Sequence, residues 1–141
     1  QDYIQKDLIP ISRCERVYDL KNKLNSEDYS YWDDIVNAWV PYCKYEYSYD
    51  ADGNKALSIE YKMDANLNDW VAEYKVEYTY DVNGDMASIM FYSWDVSTNE
   101  WNNNAKHKYE YAYDGNDNVR TAQEFMWEDG HWKIVSTTHY Y

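Results

Sequence analysis

Four tryptophans, Trp39, Trp70, Trp101 and Trp132, stand at a constant interval of 31 residues. A fixed period of that size marks a fold built by stacking one supersecondary unit, so it constrains the architecture before any element is assigned. Between them a tyrosine-aspartate pair recurs as Tyr49-Asp50, Tyr80-Asp81 and Tyr113-Asp114, and Tyr18-Asp19 carries the pattern back toward the N-terminus. In the third interval two residues gained before Asp114 are lost after it. Loops absorb such changes; a strand cannot, because a one-residue slip turns every side chain to the other face. The period therefore predicts a single β-repeat domain over 1–141, with units at approximately 11–38, 39–69, 70–100 and 101–131 and a terminal strand at 132–141.

Each unit resolves into two arms by alternation, the period of a strand with one face buried. In the first arm Tyr45, Tyr47 and Tyr49 alternate with Lys44, Glu46 and Ser48, and Tyr74, Val76, Tyr78 and Tyr80 alternate with Lys75, Glu77 and Thr79. The second arm follows more loosely, with Leu57, Ile59, Tyr61 and Met63 against Ser58, Glu60 and Lys62; in the next unit Ile89 and Phe91 break its polar set. One aromatic face and one charged face are expected, with the recurring Lys-x-Glu of Lys44/Glu46, Lys75/Glu77 and Lys108/Glu110 forming cross-strand charge pairs.

The turns have their own chemistry. In "DADGN" and "DVNGD" the opening Asp50 and Asp81 can accept from the backbone N–H two residues on, and Gly53 and Gly84 can take the positive φ that closes a tight hairpin. Asp114 opens the corresponding "DGNDN", where Asp117 stands at the glycine position, and Asn22 stands there in the first copy; both residue types tolerate left-handed backbone. Asn37, Asn68, Asn99 and Gly130, each two residues before a tryptophan, punctuate the return loops.

The fold class expected is all-β: an antiparallel meander of about 8–9 strands without a helix. A flat sheet would leave its aromatic face wet, and exposed apolar patches of that size are uncommon on monomers. The sheet is therefore expected to curl into a barrel, a solenoid or a folded-over shell around the tyrosines.

Composition removes several functions. With 26 acidic against 13 basic residues and a formal charge of −13, the chain is unsuited to nucleic acid or to anionic membranes, both of which need clustered Lys and Arg. No apolar run approaches the roughly 20 residues of a transmembrane helix. The chain opens at Gln1 without a methionine, as either a mature exported protein or a trimmed chain does; a secreted or extracytoplasmic setting, with the signal segment removed, is the expectation. The 18 tyrosines and 7 tryptophans, against 2 phenylalanines, suit half-buried positions, where an apolar ring carries a polar tip to water.

The segments "YEYSYDADGN", "VEYTYDVNGD" and "YEYAYDGNDN" resemble the Y-x-Y-D-x-x-G core of the tyrosine-aspartate repeats of Rhs and teneurin shells, and the tryptophan-bounded version is similar to small exported proteins of unknown function from gut bacteria. The resemblance implies an extracytoplasmic β-repeat scaffold with no catalytic residues to carry over. Rhs repeats are shorter and lack the boundary tryptophan.

Little chemistry competes with that reading. His107, His131 and His139 lack zinc-ligand spacing, "DADGNKALSIE" places its glycine wrongly for an EF-hand, and no nucleophile-base or phosphate-loop pattern is present, so no catalytic, metal or cofactor residue is assigned. A binding or adhesion module for a glycan, a cell-wall polymer or a cell-surface protein ranks first. A purely structural or assembly domain ranks second, and a carboxylate-based glycoside hydrolase a distant third. Boundary tryptophans at an invariant interval read as packing. Ligand-binding candidates are the rings that break the two-faced pattern: Tyr42 and Phe91 on the nominally charged face, and Trp32, Trp94 and Trp127 in a strand-end slot filled by Met63 in the remaining unit. Cys14 and Cys43 are expected to lie on strands two apart, too distant for a disulfide.

Overall fold

The computed structural model describes residues 11–116 and 118–140. Nine strands run in chain order, β1 (Ser12–Tyr18), β2 (Leu24–Asp33), β3 (Ala38–Tyr49), β4 (Lys55–Asp64), β5 (Asp69–Tyr80), β6 (Met86–Asp95), β7 (Glu100–Tyr113), β8 (Val119–Glu128) and β9 (His131–His139). They form one antiparallel meander in the order β1-β2-β3-β4-β5-β6-β7-β8-β9, with no helix among the described residues.

The sheet stays open. β1 and β9 do not pair, so the expected barrel is not formed, and each strand packs mainly against its neighbours in sequence, so among the described residues no folded-over shell encloses the tyrosines. The reason is a matter of parity. In the β3–β4 hairpin the register shifts between Ser48 and Tyr49, leaving Ala56 as an extra residue. Tyr45 consequently faces Glu60 and Glu46 faces Ile59; without the extra residue Tyr45 would have faced Ile59. The apolar sets of the two arms thus go to opposite faces, and Leu57, Ile59, Tyr61 and Met63 lie away from the tyrosines of β3. Both faces are mixed, and neither supplies the single apolar surface that would drive closure. Among the described residues only Cys43, Ser26 and Ser30 are buried.

The first-arm tyrosines Tyr45, Tyr47, Tyr49, Tyr78, Tyr80, Tyr111 and Tyr113 share one face, with Glu46, Glu77 and Glu110 on the other. Two expectations fail here. Phe91 joins the tyrosine face, opposite Val76 and Ala105. Tyr42 does so as well, because it is the extra residue of a bulge between β2 and β3 that breaks the alternation, and its ring lies 6.4 Å from Tyr29 and 6.1 Å from Tyr31. The same bulge recurs three residues after each tryptophan, at Glu73, Asn104 and Val135.

The Lys-x-Glu pairs also differ from expectation: Lys44–Glu46, Lys75–Glu77 and Lys108–Glu110 bond at 2.6, 2.7 and 2.6 Å along one strand, not across two. In a strand, residues two apart share a face, so the antiphase arms leave the ammonium groups free to lie over cross-strand rings. Lys75 stands 4.0 Å from the Tyr92 centroid and Lys108 4.5 Å from that of Phe125.

Aspartate organises both kinds of loop. Asp19, Asp50, Asp81 and Asp114 each accept through Oδ1 from the backbone N–H groups two and four residues on, at 2.8–3.0 Å. Asn22, Gly53 and Gly84 have φ of 61°, 88° and 85°; Asp117 lies outside the described residues. At the return loops Asp33, Asp64 and Asp95 accept through Oδ1 from the backbone N–H groups two and three residues on, and Asn37, Asn68 and Asn99 have positive φ, while Asp129 and Gly130 form a two-residue turn with φ of 52° and 80°.

Pairing is continuous only through the middle of the sheet. β5 bonds β6 from Tyr74 onward, leaving residues 69–72 paired with β4 alone. The tryptophan end is therefore divided into two-stranded tips with notches between them, and the aspartate-turn end is divided likewise. Tyr49 and Tyr80 bridge the latter, donating to the Leu24 and Lys55 carbonyls at 2.8 and 3.0 Å.

Candidate functional site

The return hairpins bring together residues that the sequence keeps apart in role. Trp32 faces Trp39, Trp94 faces Trp101 and Trp127 faces Trp132, all on the face opposite the first-arm tyrosines; Met63 faces Trp70 at the fourth position. The rings meet edge to face, with centroids 5.5, 5.1 and 5.2 Å apart and planes at 74°, 69° and 74°. Such contacts suit the aromatic quadrupole and fix both rings. Successive pairs are two strands apart, roughly 9 to 10 Å at the usual strand spacing. Cations lie along the row: Arg13 over Trp39 at 4.7 Å, Lys75 over Trp101 at 5.3 Å, Lys106 over Trp127 at 5.8 Å and Lys108 over Trp132 at 5.5 Å.

Trp32, Trp94 and Trp127 are thus in one row on one face, while Tyr42 and Phe91 stand on the other. The five candidates form no single site. Trp127 and Trp132 are 41% and 37% exposed; the other tryptophans are half-buried. Sequence reasoning set Trp101 and Trp132 aside as packing residues, yet they share the row. The signal was in the chain, since Trp94-Asp95 and Glu100-Trp101 flank a return loop symmetrically and must meet across the hairpin.

A notch of about 290 Å³ separates the β4–β5 and β6–β7 tips, lined on one side by Met63, Val71 and Ala72 and on the other by Trp94 and Val96. Lys62, Asp64 and Glu73 complete its lining, and the Lys62 ammonium donates to Glu73 Oε1 at 2.7 Å. Larger hollows of about 610 and 420 Å³ lie between aspartate turns at the other end and are lined mostly by polar residues.

Several carboxylates are engaged by neighbouring donors. The Tyr47 hydroxyl, with Arg16, holds the Glu27 carboxyl below its ordinary range against the opposing effect of burial. The side chain and backbone of Ser97 hold Asp95 down to about 2. Burial works against it, but Lys75 and Tyr92 keep Glu77 low as well. Among the described residues every carboxyl whose pKa is displaced is displaced downward, and no group of three His, Cys, Asp or Glu side chains is placed to hold a metal ion. Cys14 and Cys43 are free and stand on either side of Tyr29, on β1 and β3.

Residues 37–108 match a family described as "Family of unknown function (DUF3836)". The chain belongs to the DUF3836 family. The match covers two of the tryptophan hairpins whole, from Asn37 through Trp101, together with the notch between them. Solved structures are similar, among them these two. A protein of unknown function from Bacteroides fragilis NCTC 9343, 16% identical, covers 93% of each chain with a TM-score of 0.68. A DUF3836 protein from Bacteroides vulgatus ATCC 8482, 23% identical, covers 67% of this chain and 90% of its own with a TM-score of 0.55. These likenesses show the fold. No curated protein matches the chain.

Proposed function

We propose that this DUF3836 chain is a non-catalytic, exported β-repeat scaffold that binds an extended neutral glycan across its strands, along the row of tryptophan pairs. The observation that carries the reading is the row itself: three braced indole pairs and Met63/Trp70, on one face and at one end of the sheet. Flat, pre-ordered rings offer large contact area at small entropic cost and stack on the apolar faces of sugars. A repeating polymer fits a repeating row. The charge of −13 favours a neutral chain over a polyanion. The lowered carboxyl pKa values support a binding role over hydrolysis, which needs an acid whose pKa is raised. The Tyr-x-Tyr-Asp-x-x-Gly likeness supports the scaffold part of the reading and the exported setting.

A glycan microarray followed by tryptophan-fluorescence titration tests it. Trp127→Ala and Trp132→Ala, at the most exposed pair, are expected to weaken binding about tenfold each, near 1.4 kcal/mol. Binding indifferent to both substitutions sinks the proposal.

A structural or assembly role is the second reading. Among the described residues it is favoured by the outer edges of β1 and β9, which pair with no strand, and by the lack of a second layer over either face. Sedimentation velocity across a hundredfold range of concentration separates the two, since assembly alone predicts a concentration-dependent mass.

A further inference from the structure

Resting on the glycan reading, we propose that the notch between Met63 and Trp94 is the anchoring subsite of the row and holds one pyranose ring of a neutral, β-linked glycan. Its volume of about 290 Å³ sits at the small end of the roughly 300–1,000 Å³ usual for ligand pockets, which suits a single ring-sized group.

Two departures in the sequence make the notch what it is. Met63 occupies the position held by Trp32, Trp94 and Trp127 in the other hairpins, and a flexible thioether leaves room that an indole fills. Val71 and Ala72 correspond to Asn102 and Asn103 one unit later, so this notch has apolar walls where the next one has polar residues. Trp94 forms the facing wall and is braced by Trp101 with ring centroids 5.1 Å apart, so it is ordered before a ligand arrives.

The polar lining selects for charge. Lys62 and Glu73 neutralise one another at 2.7 Å, and Asp64 Oδ1 is occupied by the N–H groups of Asn66 and Leu67 at 2.8 and 3.1 Å. What remains is a donor-acceptor edge for hydroxyl groups beside an apolar wall. An anionic sugar meets Asp64 and Glu73 in a chain of charge −13, and a cation finds no set of three ligands among the described residues. The amphipathic surface of an equatorially substituted ring, apolar on its flat side and hydroxylated at its rim, matches both parts.

Filling the notch tests this. The fold accepts an indole at the corresponding position of three hairpins, so Met63→Trp is expected to fold while closing the site; Val96→Arg, on a loop residue 76% exposed, blocks it independently. Met63→Ala keeps it open. Cellohexaose and chitohexaose are the probes, read by calorimetry and tryptophan fluorescence, and they separate a plain from an N-acetylated ring. For whichever hexaose binds, Met63→Trp and Val96→Arg are expected to weaken binding at least tenfold and Met63→Ala less than threefold. Wild-type affinity in both blocked variants, with binding still lost in Trp127→Ala, overturns the subsite and leaves the row. Binding of neither hexaose by the unaltered protein overturns the subsite and, with a silent microarray, the row as well.

Discussion

The Tyr47 hydroxyl donates to Glu27 Oε2 at 2.8 Å across the β2–β3 pair, while Arg16 donates to Oε1 of the same carboxylate at 2.8 Å. In a sheet with almost no buried residues, such contacts take over part of the work of a core. The Glu27 side chain is only 13% exposed, whereas Glu46, which accepts from Tyr61 at 3.0 Å, is 43% exposed. A hydrogen bond to a charged group contributes more as water is excluded from it. Tyr47→Phe is expected to cost about 1–2 kcal/mol in urea unfolding. Tyr61→Phe is expected to cost under about 1 kcal/mol. Equal costs would show that shielding does not grade these bonds.

Gly84 has φ of 85° with nothing within 4 Å of the place a Cβ would occupy. Strain alone therefore decides a substitution there. Gly84→Ala is expected to cost about 1–2 kcal/mol and Gly84→Asn distinctly less, since Asn22 holds φ of 61° at the corresponding turn. Gly53 is a poorer test, because its Cβ would meet Lys23 Nζ at 2.9 Å and add a clash. Matched chemical-denaturation curves for the two Gly84 variants would contradict the turn geometry.

The pH limits follow from the same contacts. Glu27, Glu77 and Asp95 have folded pKa values below their ordinary ones, so their contribution is present above about pH 4 and is lost as pH falls toward about 2, where Asp95 titrates. Tyrosines behave oppositely. Burial, then the bond to Glu46, pushes Tyr61 up to about 12, and burial followed by Glu27 raises Tyr47. Their contribution is complete below the unfolded value near pH 10 and is lost as pH rises through 12. Circular dichroism with tyrosinate absorbance should show a cooperative alkaline transition above pH 10. Gradual ionisation without loss of structure would refute it.

Alternation along Tyr45-Tyr47-Tyr49 was enough to place those rings on one face, and the Asp and Gly of each turn were enough to place the hairpins. How one arm is phased against the next was not legible. That phase depends on one unpaired residue per hairpin, Ala56 in β4, whose small side chain carries no mark of the role. The error about closure came from this, and that about Tyr42 from the second bulge, which accepts Tyr, Glu, Asn and Val alike. A position that tolerates four unrelated side chains is set by backbone geometry and leaves no residue signature. The tryptophan pairs were legible in principle, as symmetry about a loop, whereas the notch required knowing that β5 and β6 part before their ends.

If the indole pairs are interacting units rather than neighbours by accident of spacing, truncating one ring should change what the other contributes. Trp94 and Trp101 meet at 5.1 Å and 69°, an edge-to-face geometry associated with about 0.5–1.5 kcal/mol beyond area burial. Lys75 stands 5.3 Å from the Trp101 centroid and is held at 2.7 Å by Glu77, so a positioned cation also contacts the second ring. A double-mutant cycle of Trp94→Leu and Trp101→Leu, followed by urea unfolding, is expected to return a coupling of about 1 kcal/mol. The Met63→Leu and Trp70→Leu cycle at the corresponding hairpin has no second indole and should return under about 0.5 kcal/mol. Coupling that is the same in both hairpins would mean that Trp94 and Trp101 contribute only as bulk, and the pre-ordering on which the glycan reading depends would lose its physical basis.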